Sequence, residues 1–320
     1  MKVHIPNSAF LGNIDPFIRS IDFSEPEIFQ VTGNKKWISI HPVILTIIAS
    51  MGLDVDPENI DISMEARSGH YLERMGLYRL LGQEFNFRII EHEPSGRFIP
   101  LSVIRESDDL SRFITDIIPL LHLEPEMALP IKYTLSELVR NVLEHSESQR
   151  GAIVAAQYYK KSNTIRLGIT DNGVGIRKTI CRSHLARSDL DAIRLALMPG
   201  ITGTTRREGG TEQNAGAGLF FIKSIATVNR DFFMVYSGNA MYKLLRSSKI
   251  RKKRRLKADP LKDRHSCGEN YPYWKGTVVG IDISLSETEG FSNILDEINK
   301  TYIQTIKERK KARYRRPRFQ

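Results

Sequence analysis

The sequence predicts a mixed α/β (α+β) protein made of two consecutive units. Three observations carry the prediction. Over residues 1 to about 100, short strand-like stretches alternate with helix-length apolar stretches, the pattern of a small α/β unit. From about residue 104 to 286, a strand pair and three later strands are interleaved with apolar helices. The chain is 41% hydrophobic and 26% charged over 320 residues, enough to bury real cores.

The elements follow in order. "FQVTG" at 29–33 reads as a strand, and "HPVILTIIASMG" at 41–52 is long enough for a buried helix. "NIDISME" at 59–65 alternates at period two and reads as a strand. "SGHYLERMGLYRLLG" at 68–82 reads as one helix, with Ser68 as its cap, Leu72, Met75 and Leu80 as its apolar positions and Gly82 as its stop. "FNFRIIEHE" at 85–93 reads as another strand. In the second unit, "SDDLSRFITDIIPLL" at 107–121 is a predicted helix with Ser107 near its start. "PEMALPIKYTLSELVRNVLEHS" holds the next helix. Its residues Ile131, Leu135, Leu138, Val139 and Val142 recur at three- and four-residue spacing and form one buried stripe. "GAIVAAQYYK" and "TIRLGITD", separated by "KSN", read as an antiparallel pair. An irregular polar stretch covers 177–215, and "GAGLFFIKSIATVN" is an apolar helix opened by glycines. "DFFMVYSG", "AMYKLL" and a closing "GTVVGIDISL" read as strands. A basic insertion occupies 246–272, and 287–320 is a helix running into a basic tail.

Charge is unevenly placed. Of a net +10, "KIRKKRRLK" at 249–257 and "KERKKARYRRPRFQ" at 307–320 carry +14, leaving about −4 on the rest. One reading is contact with nucleic acid or another polyanion through these two runs. The other is a solvated insertion and a disordered tail, since aromatic residues are sparse among the charges. The longest apolar run, "PVILTIIASMGL" at 42–53, is too short to cross a bilayer, so no membrane span is expected. "MKVHIPNSAF" lacks the apolar core of a signal peptide, and a cytoplasmic location is the expectation. Two cysteines, Cys181 and Cys267, make no disulfide framework. His184 follows Cys181 by three residues, but no second pair completes a metal site.

Four short patterns carry chemistry. Glu137 and Asn141 lie one helical turn apart, beside the buried stripe. Solvent exposure is the ordinary reason for polar residues on a helix. In "TDNGVGI" at 170–176 a strand ends at Asp171, and Gly173 and Gly175 follow. Glycines there permit positive φ and a close approach to the backbone. In "NAGAGLFFIKSIA" at 214–226, Gly216 and Gly218 open a helix whose first N–H groups could receive phosphate oxygens. "KGTVVGIDI" sets Gly276 and Thr277 at the mouth of a strand. Each pattern alone is weak, because many turns look like it.

Their order is specific. It resembles the GHKL superfamily of ATPases, over about residues 105–285. The resemblance implies a Bergerat-type two-layer sandwich, a mixed and largely antiparallel sheet under helices, in a domain at 104–286. It implies ATP and Mg²⁺ as ligands. By that resemblance Asp171 accepts from the adenine amino group, and Gly173 and Gly175 let base and ribose pack against the backbone. Asn141 holds Mg²⁺, and Glu137 is the catalytic base at the γ-phosphate. Gly216 and Gly218 lie under the phosphates, and Thr277 joins the adenine site through water. The stretch 177–215 matches the ATP lid, where Thr204, Thr205, Arg206 and Arg207 are its candidate residues. Arg206 and Arg207 are the cationic candidates for the γ-phosphate, against the alternative of surface arginines. His145 is expected as a core or supporting histidine, against the alternative of facing the same cleft, and Lys223 as an exposed lysine of its helix, against the alternative of a phosphate contact.

The chain also departs from the best-known members. His122 sits where a sensor kinase would carry its phospho-acceptor hairpin, but Pro119, Pro125 and Pro130 are expected to break it. The segment 1–103 weakly resembles a STAS-like module through its strand–helix order and "YLERMGL". The arrangement is most similar to the anti-sigma-factor kinases and stand-alone ATPases of that branch. The expected function is therefore an ATP-binding regulator with Mg-dependent ATPase or Ser/Thr kinase activity, acting on an unidentified protein partner or phospho-acceptor. The alternative is a nucleotide-gated interaction module without significant turnover. A homodimer is left open.

Overall fold

The computed structural model describes residues 1–34, 38–85, 98–117, 123–205, 217–246, 256–285 and 290–314. The protein is mixed α/β. Its first part holds β1 (Lys2–Ile5), β2 (Ser8–Ala9), α1 (Asp15–Arg19), β3 (Phe29–Gly33), β4 (Ser39–Ile40), α2 (Pro42–Gly52), β5 (Ile60–Ser63), α3 (Ala66–Arg74) and α4 (Leu77–Leu80). Strands β1, β3 and β5 pair in that order as a parallel sheet, and β2 pairs with β4, also parallel. The single helix expected over 68–82 is two, α3 and α4. Gly76, at φ 78°, takes the left-handed conformation that ends the first. Ser68, the expected cap, is instead buried inside α3. Nearly all of the strand expected at 85–93 lies outside the described residues.

The second part holds β6 (Phe98–Ile104), α5 (Ser107–Arg112), a π turn at Phe113–Ile117, α6 (Pro125–His145), β7 (Ala152–Tyr159), β8 (Thr164–Asp171), α7 (Gly175–Cys181) and α8 (Asp189–Ala196). Then come α9 (Gly218–Asn229), β9 (Phe233–Gly238), β10 (Ala240–Leu244), β11 (His265–Gly268), β12 (Trp274–Ser284) and α10 (Phe291–Tyr314). Seven strands form one sheet in the order β11-β10-β9-β12-β8-β7-β6. Every pairing described in it is antiparallel, so the mixed sheet expected for this region is not found; parallel pairing is confined to the first part. The boundary expected at 103/104 falls inside β6, which is the sheet's edge strand beside β7.

Two further expectations change. Pro125 sits in the first turn of α6, where its missing N–H costs nothing, and Pro130 is carried inside the helix rather than breaking it. His122 and Pro119 lie outside the described residues. The stretch 177–215 is not irregular throughout, because it contains α8 and most of α7. Burial of Ile180, Ala192, Ile193 and Leu197 holds these helices, and the Ser188 hydroxyl caps α8 by accepting from the Asp191 N–H at 3.2 Å.

The seven-stranded sheet is covered on both faces. One face lies under α6, α7 and α9, in a core that includes Ile131, Leu138, Val139, Leu167, Ile169, Ile222, Val279 and Ile281. The other lies under α2, all eleven residues of which are buried. There Val43, Ile47, Ile5 and Phe17 join Ile153, Ala155 and Val278 in a single core. The expected two-layer sandwich therefore gains a third layer. Alternate strand residues serve the two sides, as the pleat requires. A Cβ at Gly168 would overlap the backbone of Val43, so glycine is what lets α2 lie so close. A third cluster joins Phe220 and Ile225 of α9 to Ile298, Tyr302 and Ile306 of α10. Among the described residues no helix is long and apolar enough to cross a membrane.

Candidate functional site

A cleft of about 300 Å³ opens between α6, the sheet, α7 and the start of α9. Its floor is strand: Ile169 and Asp171 of β8, with Thr277 and Val279 of β12. Thr277 and Asp171 are paired residues in the antiparallel register. The intervening Thr170 turns the other way, and its hydroxyl lies 2.7 Å from that of Thr46 on α2. One wall is α6, which contributes Glu137, Arg140, Asn141, Glu144 and His145. Their spacing follows from the buried stripe, since a helix that buries Leu138 and Val142 must set the flanking positions at the rim. The opposite wall is α7, with Gly175, Ile176 and Thr179, continued by Ile201, Thr202 and Gly203.

Asp171 is the most unusual group in the cleft. It is 2% exposed, and burial pushes its carboxyl up to about 7. The Gly173 N–H donates to its Oδ1 at 2.8 Å, and hydrogen bonds from the backbone and hydroxyl of Thr277 also favour the charged form. Its main-chain carbonyl accepts from the Trp274 indole N–H at 3.1 Å. Strand end, turn and indole together fix this side chain.

Glu137 and Asn141 meet the start of α9. A Cβ at Gly218 would lie 3.1 Å from Glu137 Oε2 and 3.3 Å from Asn141 Nδ2, so the glycine leaves room where two polar side chains converge. Among the described residues no side chain caps α9, which leaves its first N–H groups open to a ligand's oxygens. Burial pushes the Glu137 carboxyl up, the Arg140 guanidinium opposes that shift, and Glu144 adds to it. Arg140 Nη1 lies 3.3 Å from Glu137 Oε1.

The structure thus brings Glu137, Asn141, Asp171, Gly175, Gly218 and Thr277 to one cleft. Gly173 is adjacent, and packing accounts for it: a Cβ there would overlap the Ser146 carbonyl, which accepts from the Val174 N–H at 2.7 Å. Thr204 and Thr205 follow the cleft-lining Gly203 without lining the cleft themselves. Arg206, Arg207 and Gly216 lie outside the described residues. His145 lines the cleft rather than the core. Lys223 is fully buried, not exposed, and pairs with Asp263 at 2.6 Å. It is not among the residues that line the cleft. Sequence reasoning missed Arg140, Glu144, Thr179 and Thr202. The first two were legible, because they sit three and seven residues after Glu137 on the same helix. Trp274 gave no signal, since its role depends on a strand pairing across a hundred residues.

The donors suit a hard cation shared with a ligand. Asn141 and Glu137 offer oxygens beside an uncapped helix start. Among the described residues no group of three or more His, Cys, Asp or Glu could hold a metal ion without such sharing. A scan against protein-family models and a search of curated proteins find no match to this chain.

Proposed function

We propose that the cleft binds Mg·ATP in the manner of the GHKL ATPases, and that the protein is an ATP-dependent regulator with ATPase or Ser/Thr kinase activity. The observation that carries this reading is Asp171: a buried carboxylate at the floor of a cleft, held by N–H and hydroxyl donors and, among the described residues, facing no cation. A group of that kind calls for a ligand with N–H donors, and an adenine amino group supplies one. The antiparallel sheet under α6 and α9 supports a Bergerat-type arrangement, with the α2 layer added behind it.

In this reading Asp171 accepts from the exocyclic amino group and Thr277 supports it. The backbone at Gly175, at φ 78°, leaves space beside the base. The first N–H groups of α9 receive phosphate oxygens. Asn141 would hold Mg²⁺, which when bound neutralises phosphate charge. Glu137 accepts the proton of a water, or of a Ser/Thr hydroxyl, as its oxygen bonds to the γ-phosphorus. The bond to the β-phosphate oxygen breaks and ADP leaves. Burial makes Glu137 a better proton acceptor near neutral pH than an exposed glutamate.

One observation favours the second reading, a nucleotide-gated interaction module. Glu137 is already engaged by Arg140, so the base is tied down in this arrangement. Single-turnover release of labelled phosphate, with ATP affinity measured on the same preparations, decides between them. Glu137→Ala should bind ATP about as well as the parent and hydrolyse or transfer it ~10²–10⁴-fold more slowly. Equal rates remove Glu137 from the chemistry. A parent that binds ATP with neither hydrolysis nor transfer in the presence of cell lysate establishes the gated module.

A further inference from the structure

The two basic stretches are about fifty residues apart in sequence, yet their described ends meet on one side of the molecule. Leu256 is buried in the same apolar cluster as Phe220 of α9 and Ile298, Tyr302 and Ile306 of α10. Lys257 follows directly, and its carbonyl accepts from Lys223 Nζ at 3.1 Å. The chain beyond is pinned twice more. Lys223 pairs with Asp263 at 2.6 Å, and Arg194 of α8 grips Asp259 through bonds of 3.1 and 2.7 Å. Lys257 is therefore held on a fixed backbone rather than on a free loop.

Helix α10 has two opposed sides. Ile294, Ile298, Tyr302 and Ile306 recur every four residues and are buried. Lys300, Lys307 and Lys311 recur at seven and four residues on the opposite side, with Lys310 beside them, and all four are exposed. From Lys300 to Lys311 there are five cations and one carboxylate, Glu308. Arg309 Nη1 donates to the Pro199 carbonyl at 2.8 Å, which fastens the basic end of α10 beside the loop after α8. The stretches outside the two basic runs sum to about −4, so this positive charge is segregated.

We propose that Lys257, Lys300, Lys307, Lys310 and Lys311 form one surface that binds the phosphate backbone of nucleic acid. The competing occupants fit less well. An anionic bilayer would need an apolar face on α10, but that face is spent on α9, and Ile303 at 44% exposure is the large apolar side chain left showing on the described part of the helix. A protein partner would need an apolar core to its interface, and among the described residues Ile303 alone is a large exposed apolar side chain between these lysines, too little for one. Phosphate contact by a lysine row needs neither and reads no sequence. The proposal stands apart from the nucleotide reading, because no residue of the surface lines the cleft.

The test is fluorescence anisotropy of the full chain with a labelled 20-base-pair DNA duplex, and in a second arm a single-stranded RNA, between about 50 and 200 mM salt. Binding should be one to one. On the duplex, log affinity should fall with log salt at a slope of about −4 to −5, as about five phosphate contacts require. Lys307→Glu/Lys310→Glu/Lys311→Glu should reduce affinity more than tenfold and flatten the slope by about three. Lys257→Gln should weaken the same single site and flatten the slope by about one. The three α10 lysines are exposed and Lys257 is half-exposed, and an unchanged melting temperature confirms that the variants fold. Absence of binding to either nucleic acid at about 50 mM salt overturns the proposal. So does binding that survives the triple reversal, a second independent site, or stronger capture by phosphatidylserine vesicles than by either nucleic acid. ATP affinity measured on the same preparations reports on the cleft alone, so each proposal fails separately.

Discussion

Two buried carboxylates sit on opposite faces of the same strand pair, and they are handled differently. Asp282 of β12 faces α2 and has one cation, Arg166, built in beside it, together with His41, whose imidazole is held in the neutral form by burial. Arg166 Nε lies 3.6 Å from Asp282 and His41 Nε2 3.3 Å. Arg166 is itself stacked between Phe10 and Tyr159, at 4.1 and 4.0 Å from their ring centres. Asp171 of β8 faces the cleft, with hydrogen-bond donors around it and no cation among the described residues, and its carboxyl rises to about 7. The first arrangement closes a core. The second keeps an acceptor poised at the floor of an opening, at a cost in stability that a ligand can offset. Burial alone does not single out a candidate acid; burial without a counter-charge in a cleft does.

The comparison can be broken most sharply at Asp282. Asp282→Asn leaves the half-buried Arg166 without its partner and should cost about 3 kcal/mol in urea unfolding, with ATP affinity unchanged. A loss of ATP affinity without a loss of stability would reverse the roles assigned to the two faces. Next in size is Gly168→Ala. Its methyl group would meet the Val43 backbone, which cannot swing aside, and about 1–3 kcal/mol should be lost.

Asp171 should write itself into the pH dependence. In the folded protein it keeps its proton up to about pH 7, and in the unfolded chain only to the ordinary carboxylate value. The folded state thus binds more protons between those values. Its stability should fall as pH rises through that window, by at most ~1.4 kcal/mol per pH unit, and level off above it. Asp231, pushed up by burial to about 6, adds a fall of the same sign at lower pH. Asp171→Asn should remove the fall between about pH 6 and 7 and part of the fall below it, and leave the share of Asp231. An amino donor favours the charged carboxylate, so adenosine affinity should rise from about pH 6 to about pH 8 in the parent and stay flat in the variant. A parental affinity independent of pH would exclude Asp171 as the acceptor. The smallest effect on stability is expected at Gly218→Ala, under about 1 kcal/mol, because the added methyl meets side-chain ends rather than backbone. The same change should still weaken Mg·ATP binding by crowding Glu137 and Asn141.

Much of this was legible in the sequence. The stripe of α6, the β7–β8 pair and the glycine opening of α9 all follow from local spacing. What was not legible depends on distant partners. The burial of Lys223 requires Asp263, forty residues on. Helix α2 reads as buried because it is apolar all round, but nothing local says that β7 and β8 are what it covers. Helices α7 and α8 were legible in part. The Ser188 cap and the spacing of Ile193 and Leu197 were present, masked by the Gly- and Thr-rich run that follows. Gly173 has a packing reason that local spacing does not reveal, its close approach to Ser146.

The two-sided use of β8 also constrains how the gene can change length. Ile169 and Asp171 serve the cleft, while Gly168 and Thr170 serve α2. Losing one codon within the strand would exchange these sets, turning the carboxylate toward Thr46 and a larger side chain toward Val43. Both faces would fail together, so no intermediate with one intact face exists for selection to act on. Insertions and deletions in descendants of this chain should therefore gather in the turn at Lys160–Ser162, where extra residues can loop outward without shifting either strand.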